Sequence, residues 1–140
     1  MTVHATVPFL WVTDMERSLR YYVDGLGFEI VDRWLDGGKL RWCRLEHGGA
    51  ALMLQEFWRE GPHQRRPDAP LGAGVTLCFI CDDALALHRA YTGRGVPSSR
   101  EPFVGNGMWV TSLEDPDGYA LSFESRTDCP EGTRLGVDGH

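Results

Sequence analysis

Four cysteines and five histidines are the residues of this sequence best suited to metal binding or nucleophilic chemistry. Cys78 and Cys81 have the CxxC spacing, but both fall in a predicted strand, where positions three apart point to opposite faces. Cys43 and Cys129 provide no second pair, so neither a zinc site nor a redox site is predicted. We expect all four to be free buried thiols in a reducing compartment.

The histidines supply neither a metal site nor a catalytic triad. They stand apart in the sequence. His47 lies in a predicted turn, His63 in the linker and His88 in a predicted helix, while His4 and His140 lie near the two ends. Thr111, Ser112 and Ser122 have no base at a recognisable motif spacing. The sequence therefore predicts no catalytic residue.

The composition indicates one small acidic domain, residues 1–140. A chain of 140 residues with 42% hydrophobic content can form one core but not two ordinary domains. A formal net charge of −6 argues against a nucleic-acid partner, because phosphate binding needs clustered Lys and Arg. The apolar runs are too short to span a membrane, and the first ten residues do not resemble a signal peptide. We expect a cytoplasmic protein with no membrane partner.

Strand and helix signals alternate over residues 7–56. An apolar run at 7–12 predicts a strand, and Thr13 with Glu16 has the capping-box spacing of a helix start. Glycines 25 and 27 end that helix. Three further strands are predicted, separated by glycine-rich hairpin turns: 28–35, 40–46 and 50–56.

The same order of signals returns after a linker or flap at residues 57–75. A strand at 76–81 precedes a helix that begins at Asp82 or Asp83 and continues to about Thr92. The remaining predictions are a loop with a short strand at 97–107, strands at 108–113 and 119–125, and an irregular tail at 126–140.

The two halves align with each other. Residues 7–14 match 76–83, and residues 49–56 match 118–125, both at an offset of 69 residues. One offset at both ends of the unit favours an internal repeat, 7–56 and 76–125.

Three segments carry a resemblance to a known family: VTDMERSLRYYVDGLGF at 12–28, GGAALMLQE at 48–56 and SLEDPDGYALSFE at 112–124. They resemble the vicinal oxygen chelate superfamily, which includes glyoxalase I, extradiol dioxygenases and bleomycin-resistance proteins. The resemblance implies an α+β fold of two βαβββ units, whose curved mixed sheets surround a cup, and in many members a homodimer.

Metal binding in that superfamily uses four His, Gln or Glu side chains, one from the first and one from the last strand of each unit. Carried onto this sequence, the resemblance places Val7, Met53, Thr76 and Ser122 at those positions. None of these side chains is a competent ligand for a divalent metal of this kind. The resemblance therefore implies a chain without a metal and without a cofactor.

Apolar and aromatic side chains remain to line the cup. Strand alternation directs Phe9 and Trp11 toward it, whereas the facing of Trp42 and Trp109 stays open. Glu56 and Glu124, at strand ends near the cup, would suit a cationic ligand. The predicted ligand-binding residues are Phe9, Trp11, Met53, Gln55, Cys78, Trp109, Ser122 and Glu124.

These features favour a metal-independent protein of the bleomycin-resistance type, which sequesters an amphipathic aromatic small molecule such as an antibiotic. Two alternatives stay open. The first is a related enzyme of the same superfamily, either a glyoxalase-type lyase or dioxygenase with relocated metal ligands, or a metal-free catalyst that uses Glu124, Glu56 or Gln55. The second is a ligand-free accessory or dimerisation domain.

Overall fold

The computed structural model describes residues 1–62, 64 and 70–136. The chain divides into two compact units, Met1–Asp68 and Ala69–His140. Each unit contains one helix and one four-stranded mixed sheet in βαβββ order, which confirms the predicted α+β fold class. No helix of the described residues is long and apolar enough to cross a membrane.

In unit 1 the sheet has the strand order β1-β4-β3-β2, with β1 parallel to β4 and the other pairs antiparallel. Its elements are β1 (Phe9–Val12), α1 (Met15–Leu19) with a following π-helical turn (Arg20–Gly25), β2 (Glu29–Asp36), β3 (Lys39–His47) and β4 (Ala50–Glu56).

In unit 2 the sheet has the equivalent order β5-β8-β7-β6, with β5 parallel to β8. Its elements are β5 (Thr76–Ile80), α2 (Ala84–Gly93), β6 (Phe103–Gly105), β7 (Met108–Glu114) and β8 (Ala120–Arg126).

The parallel strand pairs of the two units have the same register. Phe9 lies opposite Met53 in unit 1, and Cys78 lies opposite Ser122 in unit 2, with 69 residues between equivalent positions. Because successive side chains on a strand alternate between faces, equivalent residues of the two sheets point to equivalent faces.

One face of each sheet packs against the helix of its unit and forms the core. In unit 1 this face buries Leu10, Val12, Leu52 and Leu54. In unit 2 the Tyr91 ring of α2 packs edge-on against Phe123 of β8, with ring centres 5.5 Å apart. We call the other side of each sheet its open face.

Helix capping differs from the prediction in unit 1. Asp14 is the N-cap of α1, and its carboxylate accepts a hydrogen bond from the Arg17 amide at 3.2 Å, so the predicted Thr13 capping box is wrong. In unit 2 the structure selects Asp83 rather than Asp82, with a 2.9 Å bond from the Ala86 amide. Aspartate is favoured at this position because its side chain satisfies an amide that the helix leaves unpaired.

The helix of unit 1 contains one residue more than that of unit 2 between its N-cap and the glycine that ends it. That glycine is Gly27 in unit 1 and Gly95 in unit 2, both at positive φ, 88° and 83°. The extra residue is accommodated in the π-helical turn, where the Leu26 amide bonds to the Tyr21 carbonyl five residues earlier.

The predicted linker and tail fall partly outside the described residues, at 63, 65–69 and 137–140. In the described part, Phe57 follows β4 as a buried residue. Arg126 still belongs to β8, and beyond it Arg134 forms an isolated bridge with Phe103 of β6.

Candidate functional site

The open face of unit 1 carries an aromatic surface, which we define as Phe9, Trp11, Trp42, Met53 and Gln55. Met53 lies opposite Phe9, while Gln55 lies between Trp11 and Trp42 on neighbouring strands. Directly opposed residues of a sheet share a face, so all five side chains point the same way. The structure thus brings together the four predicted ligand-binding residues of this unit and adds Trp42, whose facing the sequence left open.

Aromatic contacts fix the position of the Trp11 indole. Its ring centre lies 6.0 Å from that of Phe9 and 5.4 Å from that of Phe57. Phe57 is buried, and its amide bonds to the Val12 carbonyl at 2.9 Å, which continues the strand ladder beyond β4. Phe9 is exposed and Trp11 is half-buried, so a planar ligand has ring surface to stack on.

An ion pair lies on the same face at the other end of β3. Arg44 is opposite Met53, and its Nε lies 3.0 Å from Oε2 of Glu46. Both side chains are partly exposed, so this pair borders the aromatic surface with polar groups.

The open face of unit 2 is polar at the equivalent positions. Cys78 Sγ and Ser122 Oγ both donate to Oε2 of Glu124, at 2.8 Å and 2.9 Å. Ile80 and Val110 lie directly opposite Glu124 on the strands to either side. Three predicted ligand-binding residues therefore form one hydrogen-bonded cluster between two apolar side chains.

The Cys78 thiol is exposed, so the expectation of a buried thiol is wrong at this position. Cys43 is buried, whereas Cys81 and Cys129 are half-buried. Burial of the Sγ atom and the hydrogen bond to Glu124 raise the pKa of the Cys78 thiol. The thiol therefore keeps its proton at neutral pH and acts as a hydrogen-bond donor.

Trp109 lies on the helix side of its sheet. It is 7% exposed and packs in one buried cluster with Ala84 and Val104. Its register partner Ser125 also faces the helix, where the Ser125 hydroxyl accepts from the Ala84 amide. Among the predicted ligand-binding residues, Trp109 is the one placed in the core.

The four positions that the resemblance assigns to metal ligands contain no suitable donor set. Val7 precedes β1, and Met53 has a thioether that binds hard divalent ions poorly. Thr76 and Ser122 offer neutral hydroxyls. Across the described residues, no three His, Cys, Asp or Glu side chains lie close enough together to hold a metal ion. The residues present do not fit the metal that the resemblance implies.

Glu56 is buried on the helix side, so its predicted place near the ligand is wrong. Its Oε2 accepts from the Met15 amide at 2.8 Å, at the start of α1. Its Oε1 lies 2.5 Å from Lys39 Nζ and 3.7 Å from Arg41 Nη1. The Arg41 guanidinium also lies over the Trp58 ring, 4.2 Å from its centre. This cluster fastens the end of β4 and the following segment, and it has no part in the open face.

Two surface clefts lie outside the predicted ligand-binding residues. One, of about 280 Å³, is lined in unit 1 by Leu19, Val23 and Ile30 with neighbouring charged residues. The other, of about 420 Å³, surrounds the β6–β7 turn at Asn106 in unit 2. Neither contains a predicted ligand-binding residue.

The sequence model of the Glyoxalase/Bleomycin resistance protein/Dioxygenase superfamily matches residues 2–123. This range includes every strand and helix from β1 to β7 and ends within β8. No curated protein matches the sequence.

Solved structures share the fold at low sequence identity. TioX from Micromonospora sp. ML1 has a TM-score of 0.69 and 18% identity, over 89% of this chain and 100% of its own. TnmS3, an antibiotic binding protein from Streptomyces sp. CB03234, has a TM-score of 0.64 and 21% identity, over 91% and 100%. A glyoxalase / bleomycin resistance protein from Catenulispora acidiphila DSM 44928 has a TM-score of 0.62 and 20% identity, over 87% and 97%.

Proposed function

Because the chain belongs to the Glyoxalase/Bleomycin resistance protein/Dioxygenase superfamily, we propose that it is a metal-independent binding protein for an amphipathic aromatic small molecule. Members of this family bind small molecules, and the chemistry of each member depends on the residues of its sheets. In this chain we assign sequestration of the ligand, as in bleomycin resistance, with no chemical step.

One observation carries the proposal: the aromatic surface of unit 1 gathers its five side chains on one face of the sheet. The resemblance assigns Met53 to a metal-ligand position of the family, and Phe9 lies directly opposite Met53. Two indoles and a phenyl ring offer flat apolar area, and Gln55 between the indoles adds a hydrogen-bonding amide. Binding of this kind needs affinity alone, so no acid, base or nucleophile is required.

Two further facts agree with this assignment. TnmS3, which has the same fold, is an antibiotic binding protein. The Cys78 thiol, the candidate nucleophile on an open face, is held in its protonated form by burial and by Glu124, which raise its pKa.

The proposal is tested by titrating tryptophan fluorescence with a glycopeptide, bleomycin, and with a planar aromatic antibiotic, daunorubicin. Trp11→Ala is expected to weaken binding at least about tenfold, because it removes one stacking partner. Trp58→Ala is the matched control: this half-buried indole packs against the Arg41 guanidinium, 4.2 Å from its ring centre, outside the aromatic surface, and its loss should change affinity less than about twofold.

Stability measurements separate a ligand contact from a core contact. Urea unfolding measures the stability of Trp11→Ala. Because the indole is half-buried, the substitution should lower the free energy of unfolding by a smaller fraction than it lowers the free energy of ligand binding. If Trp11→Ala lowers stability and ligand affinity to the same extent, Trp11 is a core residue. One divalent ion per purified chain, with an activity that chelation abolishes, would establish the enzyme alternative instead.

We also propose a cytoplasmic homodimer, the arrangement expected from the sequence and from many family members. Light scattering of the purified protein measures the mass directly. A monomer that saturates with ligand would remove the dimer from the proposal and leave the binding function intact. A dimer that binds none of the probes would favour the accessory-domain alternative.

A further inference from the structure

The Glu124 carboxylate on the open face of unit 2 has one oxygen fully engaged and one available. Oε2 accepts from both Cys78 Sγ and Ser122 Oγ. These two donors fix the carboxylate plane, because each comes from a regular position on a strand. Oε1 is left to accept a further hydrogen bond.

Unit 1 has no counterpart of this cluster at the equivalent positions. The equivalent positions of unit 1 hold Phe9, Met53 and Gln55, which carry no charge. The same backbone register is therefore built without a carboxylate there. The fold does not require the charge of Glu124, which points to a role in recognition.

The negative charge of Glu124 forms no ion pair with a described residue, although Arg126 lies two positions further along β8 on the same face. Among the described residues, no Lys, Arg or His lies within ion-pair distance of it. Its neighbours across the sheet are Ile80, which is 73% exposed, and Val110. Apolar neighbours lower the local dielectric constant and so strengthen the attraction for a cation that approaches the carboxylate.

The cation must come from outside the cluster. Cys78 remains a protonated donor, since burial and Glu124 raise its pKa, and Ser122 is neutral. Neither neutralises the carboxylate. A ligand with a positive group beside an apolar surface would contact Oε1 and the exposed Ile80 side chain together, since Val110 is buried.

We propose that Glu124 binds the ammonium or amidinium group of an amphipathic ligand through Oε1, with Cys78 and Ser122 as positioning residues. This assignment rests on the proposed function, binding of amphipathic small molecules, and gives the open face of unit 2 a preference for cationic ones. Charge-assisted hydrogen bonds are about twice as strong as neutral ones, so the positive group contributes substantially to affinity.

The experiment compares two planar probes of similar size by isothermal titration calorimetry: 9-aminoacridine, which is cationic at neutral pH, and acridone, which is neutral. Glu124→Gln is expected to weaken 9-aminoacridine about tenfold or more and acridone less than about twofold. Glu114→Gln is the matched control, because it removes the same charge from the same open face, opposite Ala120.

The positioning role has its own readout. Cys78→Ala should weaken 9-aminoacridine several-fold, and Cys78→Ser, which restores a donor, should recover most of that loss. Equal weakening of 9-aminoacridine by Glu124→Gln and Glu114→Gln would reduce the effect to general electrostatics and overturn the assignment.

The failure of this inference is distinct from the failure of the proposed function. If the wild-type chain binds acridone and 9-aminoacridine equally, and Trp11→Ala weakens both, the aromatic binding function stands and the Glu124 assignment is wrong. If neither probe binds, both proposals are wrong for planar ligands.

Discussion

Replacing the buried Glu56 with glutamine tests the reasoning about unit 1 most directly. The Glu56 side chain is 3% exposed, and it joins the first amide of α1 to two cations of β3. Glutamine has nearly the same shape and retains an acceptor for the Met15 amide. The substitution therefore removes the charge and little else.

The magnitude follows from three contacts. The hydrogen bond from the Met15 amide becomes neutral, which costs about 1 kcal/mol. Lys39 is 45% exposed and can turn to water, so its lost ion pair costs under about 1 kcal/mol. Arg41 is 18% exposed and stays beside the uncharged amide, for which we assign about 1 kcal/mol. The free energy of unfolding should fall by about 2–3 kcal/mol.

Urea unfolding followed by circular dichroism measures the change. A loss of this size should lower the urea midpoint by about 1 M with little change in the m-value. Glu46→Gln is the matched control, since Glu46 also forms an ion pair with a β3 arginine but is 42% exposed. We expect it to cost at most about 0.5 kcal/mol. If the two variants shift the midpoint equally, burial of Glu56 does not have the energetic role assigned here.

The remaining predictions concern two cysteines. Burial raises the pKa of the Cys43 thiol from 9.0 to about 11, so its contribution to stability is complete below about pH 9 and is lost as the pH rises through about 11. Urea unfolding at pH 8 and pH 10 should therefore show a larger alkaline loss in the wild type than in Cys43→Ala, and equal losses would contradict it. For Cys78, Glu124→Gln should accelerate alkylation by iodoacetamide at pH 8, because the carboxylate, together with burial, raises the pKa of the thiol. Glu114→Gln is the reference variant. An unchanged alkylation rate in Glu124→Gln would count against the hydrogen bond between Cys78 and Glu124.

Much of the fold could be predicted because its turns are marked by glycine. The predicted strand at 50–56 has the same bounds as β4, and the turns on either side of β3 contain Gly37, Gly38 and Gly48 at positive φ, 58°, 79° and 55°. Glycine adopts this conformation at no steric cost, so such turns are visible in a sequence. Helix starts are less clearly marked, because side chains that can cap a helix stand next to each other at Thr13 and Asp14 and again at Asp82 and Asp83.

The side chains on the open face of unit 1 could be predicted from strand alternation. The facing of the side chains of β7 could not. Trp109, Val110 and Thr111 are all buried, so β7 lacks the alternation that distinguishes its two faces. Glu56 shares the alternation of Leu52 and Leu54, and that signal would have placed it on the helix side. Its two cations come from β3, and contacts of this kind depend on the folded sheet.

The π-helical turn at Arg20–Gly25 shows how this fold accommodates one additional residue in unit 1. The additional residue is absorbed inside a helix, and the parallel strand pairs of both halves keep one register. An insertion in a strand would have reversed the facing of every side chain after it. Any alignment of one half with the other therefore requires its gap in this turn, and a single-residue deletion there should yield a continuous α-helix above an unaltered sheet.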